Sequence, residues 1–143
     1  MLFGSFEHNL DSKLRLTIPS KMRNKLGAVV YVTRSIDGQC LEIRSSDNFQ
    51  EYYKNLQAQN SLLSSARTVI RSIFSKTDEV QIDNSGRIKL PGNLLEEVGI
   101  KKMVQITGAG EWIEVWDKEK FMAYDKEVKN QLVEAAEKLG GVK

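Results

Sequence analysis

Apolar positions along the chain fall into two spacings, and the switches between them predict the elements. Alternating runs at Val29–Thr33 and Leu41–Ile43 flank a turn around Asp37 and Gly38. Met103–Thr107 and Trp112–Trp116 flank another at Gly108–Gly110, so each pair reads as a β-hairpin. Phe6–Leu10 and Glu79–Ile82 are further short strands, each running into a polar turn, DSKL or DNSG. In such turns Asp or Asn bonds its own backbone, and Gly86 can take a positive φ. The strands after these turns place Leu16 and Ile18, or Ile88 and Leu90, on one face. Arg15 and Thr17, or Arg87 and Lys89, occupy the other.

Helical spacing takes over next. Pro19 and Pro91 end the strands and suit the start of a short helix. Met22 with Leu26, and Leu94 with Val98, lie on one helical face, and Gly27 or Gly99 stops the turn. Ser45 and Asp117 are placed to cap longer helices. Phe49, Tyr52, Tyr53 and Leu56 form one apolar stripe. Leu62, Leu63, Ala66, Val69, Ile70, Ile73 and Phe74 form a stronger one, which predicts an amphipathic linking helix. Phe121, Tyr124, Val128, Leu132, Ala135 and Leu139 predict a last helix. These stripes read chiefly as core packing, with a smaller share left for subunit contacts.

The pattern occurs twice. Asp11, Arg15, Pro19 and Gly27 fall on Asp83, Arg87, Pro91 and Gly99 at a gap-free offset of 72 residues. Leu16/Ile88, Ile18/Leu90, Met22/Leu94 and Leu26/Val98 keep their apolar class in the same register. Glu7/Glu79, Val32/Val104, Gly38/Gly110, Glu42/Glu114, Phe49/Phe121 and Tyr52/Tyr124 extend it. Each copy, β-turn-β-α-β-β-α, is too small to bury a core by itself. A single pseudo-symmetric α+β domain over residues 1–143 follows, with the halves folded on each other into a closed barrel and helices outside. Its parts are repeat one at 5–56, a linking helix at 57–76, repeat two at 77–128 and a C-terminal helical segment at 117–143.

Composition narrows the function classes. Charged residues make up 28% of the chain and hydrophobic ones 41%, the balance of a globular protein. Cys40 is the only cysteine and His8 the only histidine. A disulfide within the chain, a cysteine-based metal cluster and the usual histidine-dependent catalytic sets are therefore excluded, and no metal or cofactor is expected. The opening MLFGSFEHNLDSK carries an acidic residue early and no long apolar core, so neither a signal peptide nor a membrane anchor is expected. A cytoplasmic location is the consequence. The net charge of +2 says little. Residues 11–25, however, concentrate Lys13, Arg15, Lys21, Arg23 and Lys25 against Asp11 alone, a local +4 that suits a phosphate backbone.

Two D-x-x-x-R turns at a fixed offset, each followed by an apolar strand and proline, resemble the signature of the MraZ family, itself similar to AbrB-type swapped-hairpin regulators. The resemblance spans nearly the whole chain, through FGSFEHNLDSKLRLTIPSKMR, DGQCLEIRSSDNF, DNSGRIKLPGNL and WIEVWDKEKF. It implies a double-split β-α-β, swapped-hairpin barrel made from two tandem repeats with peripheral helices. It also implies a nucleoid-associated transcription regulator of the division and cell-wall gene cluster. Such a protein assembles into a ring-shaped homo-oligomer and binds short direct repeats in promoter DNA. Carried over by position, the DNA-facing loops are Asp11 with Arg15, and Asp83 with Arg87.

The chemistry agrees with that implication. An arginine fork matches guanine O6 and N7 in the major groove, a contact worth about 1–3 kcal/mol of base discrimination. An aspartate four residues upstream can hold the guanidinium in one direction, or serve only the turn's own backbone. Lys13, Lys21, Arg23 and Lys89 read as phosphate contacts from their charge and proximity. Two features separate the copies. Leu14 stands where the second copy has Gly86, and a positive φ there would strain leucine, so the first loop is expected to adopt a different turn. Residues 83–97 carry a net −1, so the first copy is expected to dominate phosphate binding.

Other classes fit less well. Asp78, Glu79 and Asp83, or Glu111 and Glu114, form acidic clusters, but helix caps and turns account for them without a catalytic pocket. Cys40 reads as hairpin packing rather than a nucleophile paired with His8. No enzyme is expected. An antitoxin-like or scaffold protein using the barrel and the C-terminal helix to bind a protein partner is the alternative. RNA reading would call for aromatics displayed on a sheet face, and here they fall mostly on helical stripes.

Overall fold

The computed structural model describes residues 1–59 and 62–140. Each repeat opens with two short strands, β1 (Ser5–Asn9) and β2 (Arg15–Thr17) in the first. Helix α1 (Ser20–Leu26), the hairpin β3 (Val29–Arg34) and β4 (Leu41–Ser45), and helix α2 (Ser46–Gln57) follow. Helix α3 (Ser64–Ser75) leads to the second copy: β5 (Thr77–Gln81), β6 (Arg87–Lys89), α4 (Gly92–Glu97), β7 (Met103–Gly108), β8 (Ile113–Asp117) and α5 (Lys118–Lys129). A last short helix, α6 (Leu132–Lys138), ends the described chain.

The fold is mixed α+β. Six strands form an antiparallel sheet in the order β1-β7-β8-β4-β3-β5, and β2 pairs with β6 in a separate two-stranded ladder. The first strand of each repeat leaves its own hairpin. β1 pairs with β7 of the second repeat, Ser5 opposite Thr107, and β5 pairs with β3 of the first, Val29 opposite Gln81. The hairpins meet at the centre, where β4 lies beside β8 with Glu42 opposite Glu114. Leu16, Ile18, Ile88 and Leu90 from the ladder and its flanks share one buried cluster with Val30, Val32, Ile43, Val104, Ile106 and Val115 from the sheet. The ladder is thus clamped over the sheet by its inner face, and its other face is free to carry polar side chains.

Local signals act as the sequence suggests. Pro19 and Pro91 cap α1 and α4, and Met22, Leu26, Leu94 and Val98 are all buried. Ser45 Oγ accepts the Asn48 N–H at 3.1 Å, and an Asp117 carboxylate oxygen accepts the Lys120 N–H at 3.4 Å, satisfying donors at the starts of α2 and α5.

The helical stripes depart from expectation. Within the expected linking segment 57–76, α3 begins only at Ser64, after Leu62 and Leu63, and residues 60–61 lie outside those described. The C-terminal segment is two helices rather than one, broken at Asn130 and Gln131, and residues 141–143 of its expected span lie outside the described part. Core packing claims less of these stripes than their periodicity suggests. Ile73 is the buried residue of α3, α5 and α6 have none, and Leu132 and Leu139 stay 69% and 76% exposed. Phe49 and Trp116 meet aromatic neighbours near the starts of α2 and α5, whereas the C-terminal end of the chain carries its apolar side chains exposed. No helix among the described residues is long and apolar enough to cross a membrane.

Candidate nucleic-acid interface

The two D-x-x-x-R loops are built by the same set of bonds. In the first, Asp11 Oδ1 accepts the backbone N–H groups of Lys13 at 2.9 Å and Arg15 at 2.8 Å. Its other oxygen accepts Arg15 Nε–H at 2.7 Å. In the second, Asp83 Oδ1 accepts the N–H groups of Ser85 and Arg87, both at 2.9 Å, and Oδ2 accepts Arg87 Nε–H at 3.1 Å. Main-chain bonds close both turns: Asp11 N–H to Arg15 O, Leu14 N–H to Asp11 O, Asp83 N–H to Arg87 O and Gly86 N–H to Asp83 O. Each aspartate therefore has both roles. One oxygen fixes the turn and the other fixes the arginine.

Arg15 N–H is the largest influence on the Asp11 carboxyl and holds it below its ordinary 3.8, with the guanidinium and Lys13 N–H adding to the effect against partial desolvation. Asp83 is lowered in the same way, first by Arg87 N–H. A carboxyl lowered on folding stabilises the folded state fully above its unfolded value and loses that contribution as pH falls through the lower, folded value. Both loops are accordingly expected to keep their geometry until the pH is below 3.8. A carboxyl-carbon NMR titration reads this directly, and a midpoint at or above 3.8 for either residue would contradict the bonding described.

Leu14 corrects one expectation. It takes φ +61°, beside +78° at Gly86, so the first loop adopts the same turn and not another. Tertiary bonds hold it there. Leu14 O accepts the Leu90 N–H at 3.0 Å, and in the mirrored position Gly86 O accepts the Ile18 N–H at 2.9 Å. Each loop is thereby tied to the strand end of the other repeat, and the left-handed conformation, which costs a leucine about 1–2 kcal/mol, is tolerated. Leu14→Gly is expected to raise stability by roughly 1 kcal/mol, less than the full strain because glycine gains freedom when unfolded. Chemical denaturation checks this, and a clear loss of stability would show that the leucine contact matters more than its backbone.

The ladder brings the two loops together. Arg15 lies opposite Lys89 and Thr17 opposite Arg87, so all four share the outward face, while Leu16 and Ile88 face the core. Like charges set directly across a ladder destabilise it, so Arg15 opposite Lys89 is an arrangement the fold alone does not favour. Lys13, Lys21 and Lys89 are exposed. Arg23 is different: it is half-buried, and its Nη2 donates to Ile18 O at 2.9 Å. Thr17 shares the Arg15 face by strand alternation, although no D-x-x-x-R signal marks it.

The remaining candidate groups serve local structure. Cys40 is 2% exposed, and burial pushes its thiol pKa up. Tyr31 O–H donates to Glu79 at 2.6 Å, and the indole N–H groups of Trp112 and Trp116 donate to Glu114.

The chain thus carries a duplicated α+β fold presenting two like Asp–Arg loops beside a two-stranded ladder. The family model described as "MraZ protein, putative antitoxin-like" matches it twice, over residues 1–72 and 73–141. The chain belongs to the MraZ family. Proteins named Transcriptional regulator MraZ are similar along nearly its whole length. That of Mesoplasma florum is 41% identical, covering 96% of this chain and 94% of its own. That of Mycoplasma mycoides subsp. mycoides is 43% identical, over 93% and 96%. That of Heliobacterium modesticaldum is 33% identical, over 97% and 96%.

Proposed function

We propose that this chain is a DNA-binding transcription regulator and no enzyme, reading short direct repeats in a promoter through the Asp11–Arg15 and Asp83–Arg87 loops. The observation that carries the reading is the ladder register, which sets Arg15 and Arg87 on one outward face while matching aspartates hold both guanidinium groups by Nε. With Nε engaged, the terminal nitrogens remain to donate to guanine O6 and N7. Lys13, Lys21 and Lys89 are the phosphate contacts in this proposal, adding affinity and salt dependence without sequence choice. The relatives' name supports a regulatory role, and the division and cell-wall gene cluster is the proposed target.

The exchange of β1 and β5 between hairpins supports a swapped-hairpin, AbrB-like barrel and a single domain over residues 1–143. The protein acts in the cytoplasm at the nucleoid as a ring of identical subunits. Each protomer offers few contacts, and a ring on repeated sites multiplies them through effective concentration. Exposed Met122, Leu132 and Val133 on α5 and α6 suit such subunit contacts. They also favour a second reading, in which these helices dock a different protein.

Binding to DNA with G-containing direct repeats, against scrambled repeats at two salt concentrations, tests the proposal. Arg15→Ala and Arg87→Ala are each expected to cost about 1–3 kcal/mol of discrimination at the base they read. Lys13→Ala is expected to weaken binding to all sequences and flatten the salt slope. Equal binding to scrambled DNA would sink sequence reading. No binding, with a protein partner retained in stoichiometric amount, would favour the second reading.

A further inference from the structure

Arg23 belongs to repeat one by sequence, yet it packs against the loop of repeat two. A Cβ placed on Gly86 would overlap the Arg23 guanidinium and displace it, and φ +78° at that position favours glycine in its own right. Arg23 Nη2 donates to Ile18 O, while the N–H of the same Ile18 donates to Gly86 O, each at 2.9 Å. Arg23, Ile18 and Gly86 therefore form one junction from α1 through the end of β2 to the second loop. The mirrored junction differs. Position 23 corresponds to Leu95, which has no donor, and position 86 to Leu14, whose Cδ1 would lie 3.6 Å from a Cβ on Gly92 of α4. Only the second loop has a guanidinium against it.

That guanidinium is also unneutralised. Its buried Nε has no acceptor, and among the described residues no carboxylate forms an ion pair with it. It sits beside the copy whose own residues 83–97 carry a net −1. A buried donor without a partner is costly, and this cost is incurred at one of two otherwise equivalent loops.

We infer that Arg23 is a positioning residue for the second loop, holding Gly86 and so aiming Arg87, and is not a phosphate contact of the first. The inference rests on the DNA-reading proposal for its functional part. Its structural part stands alone and has its own readout. Arg23→Leu is expected to fold, because Leu95 already fills the equivalent position. It should speed amide exchange at Ile18 while leaving exchange at Leu90 unchanged. On repeat DNA it should lose about tenfold of the discrimination that Arg87 provides. Added to Arg87→Ala it should cost nothing more, and added to Arg15→Ala it should cost the full amount. Arg23→Lys, which keeps the charge but not the planar fork, should restore little. Unchanged Ile18 exchange, the same cost on both arginine backgrounds, or full recovery by lysine would each overturn the inference. Wild-type protein that binds scrambled and repeat DNA alike would instead refute DNA reading, and Ile18 exchange would still decide whether Arg23 holds the loop.

Discussion

Leu16→Ala is expected to destabilise the protein by about 2–5 kcal/mol, the range for emptying a fully buried leucine site. Leu16 is wholly inaccessible and lies opposite Ile88 at the middle of the ladder. The site has little means of collapse, because Asp11 and Asp83 fix the turn before each ladder strand and Pro19 and Pro91 follow it. The ladder also joins the halves, so loosening it releases both loops together. Urea unfolding would measure the loss, and amide exchange at Arg15 and Arg87 should quicken in step. A cost below about 1 kcal/mol would mean that the ladder is not clamped to the core as its burial indicates.

Arg44→Met is expected to cost about 3 kcal/mol, because it strands a largely buried carboxylate. Arg44 Nη1 lies 2.6 Å from Glu42 Oε1, and the two side chains are only 6% and 13% exposed. The guanidinium is sandwiched, 3.9 Å from the Tyr52 ring centre and 4.7 Å from that of Trp112. Methionine fills most of the volume but leaves Glu42 without its partner. Replacing Glu42 by methionine as well should recover most of the stability, since a packed apolar pair can match a buried ion pair. A double variant no better than the single would assign the cost to the lost ring contacts instead. In repeat two Trp116 stands at the position of Arg44, and its indole N–H donates to Glu114, so the corresponding half-buried glutamate is satisfied by a different chemistry.

Those two sites mark the boundary of what the sequence reveals. Strand alternation and the Asp turns located every strand to within a residue or two, because these signals are local. Ser45 and Asp117 cap helices as their position suggests, for the same reason. The exchange of β1 and β5 was open to inference only through the family resemblance, since nothing local distinguishes one hairpin from the other as a partner. Leu14 departs from expectation because backbone preference is local and the bond from Leu90 is not. The α5 and α6 stripes bury less than their spacing suggests, because periodicity marks an apolar face without showing what covers it. Arg44 gave no signal. An arginine two residues from a glutamate on a strand usually means a solvated edge, and only Trp112 and Tyr52 closing over it make it interior. Within the candidate site, the pairing of Asp11 with Arg15 was readable from spacing, whereas the ladder register that sets both arginines on one face was not.

Pairing Ser5 with Thr107 sets an order of events on the ribosome. The first strand emerges long before its partner, and at ordinary rates of synthesis it waits roughly 5–20 s for β7 to follow. During that interval β1 has no sheet partner, and Leu16 has no ladder partner until β6 emerges. β3 and β4, adjacent in the chain, can already close their hairpin and offer β5 an edge as soon as it appears. The N-terminal half of the fold is thus made first and finished last, and while it waits it is the part of the nascent chain most exposed to proteases and to mispairing with a neighbour's hairpin.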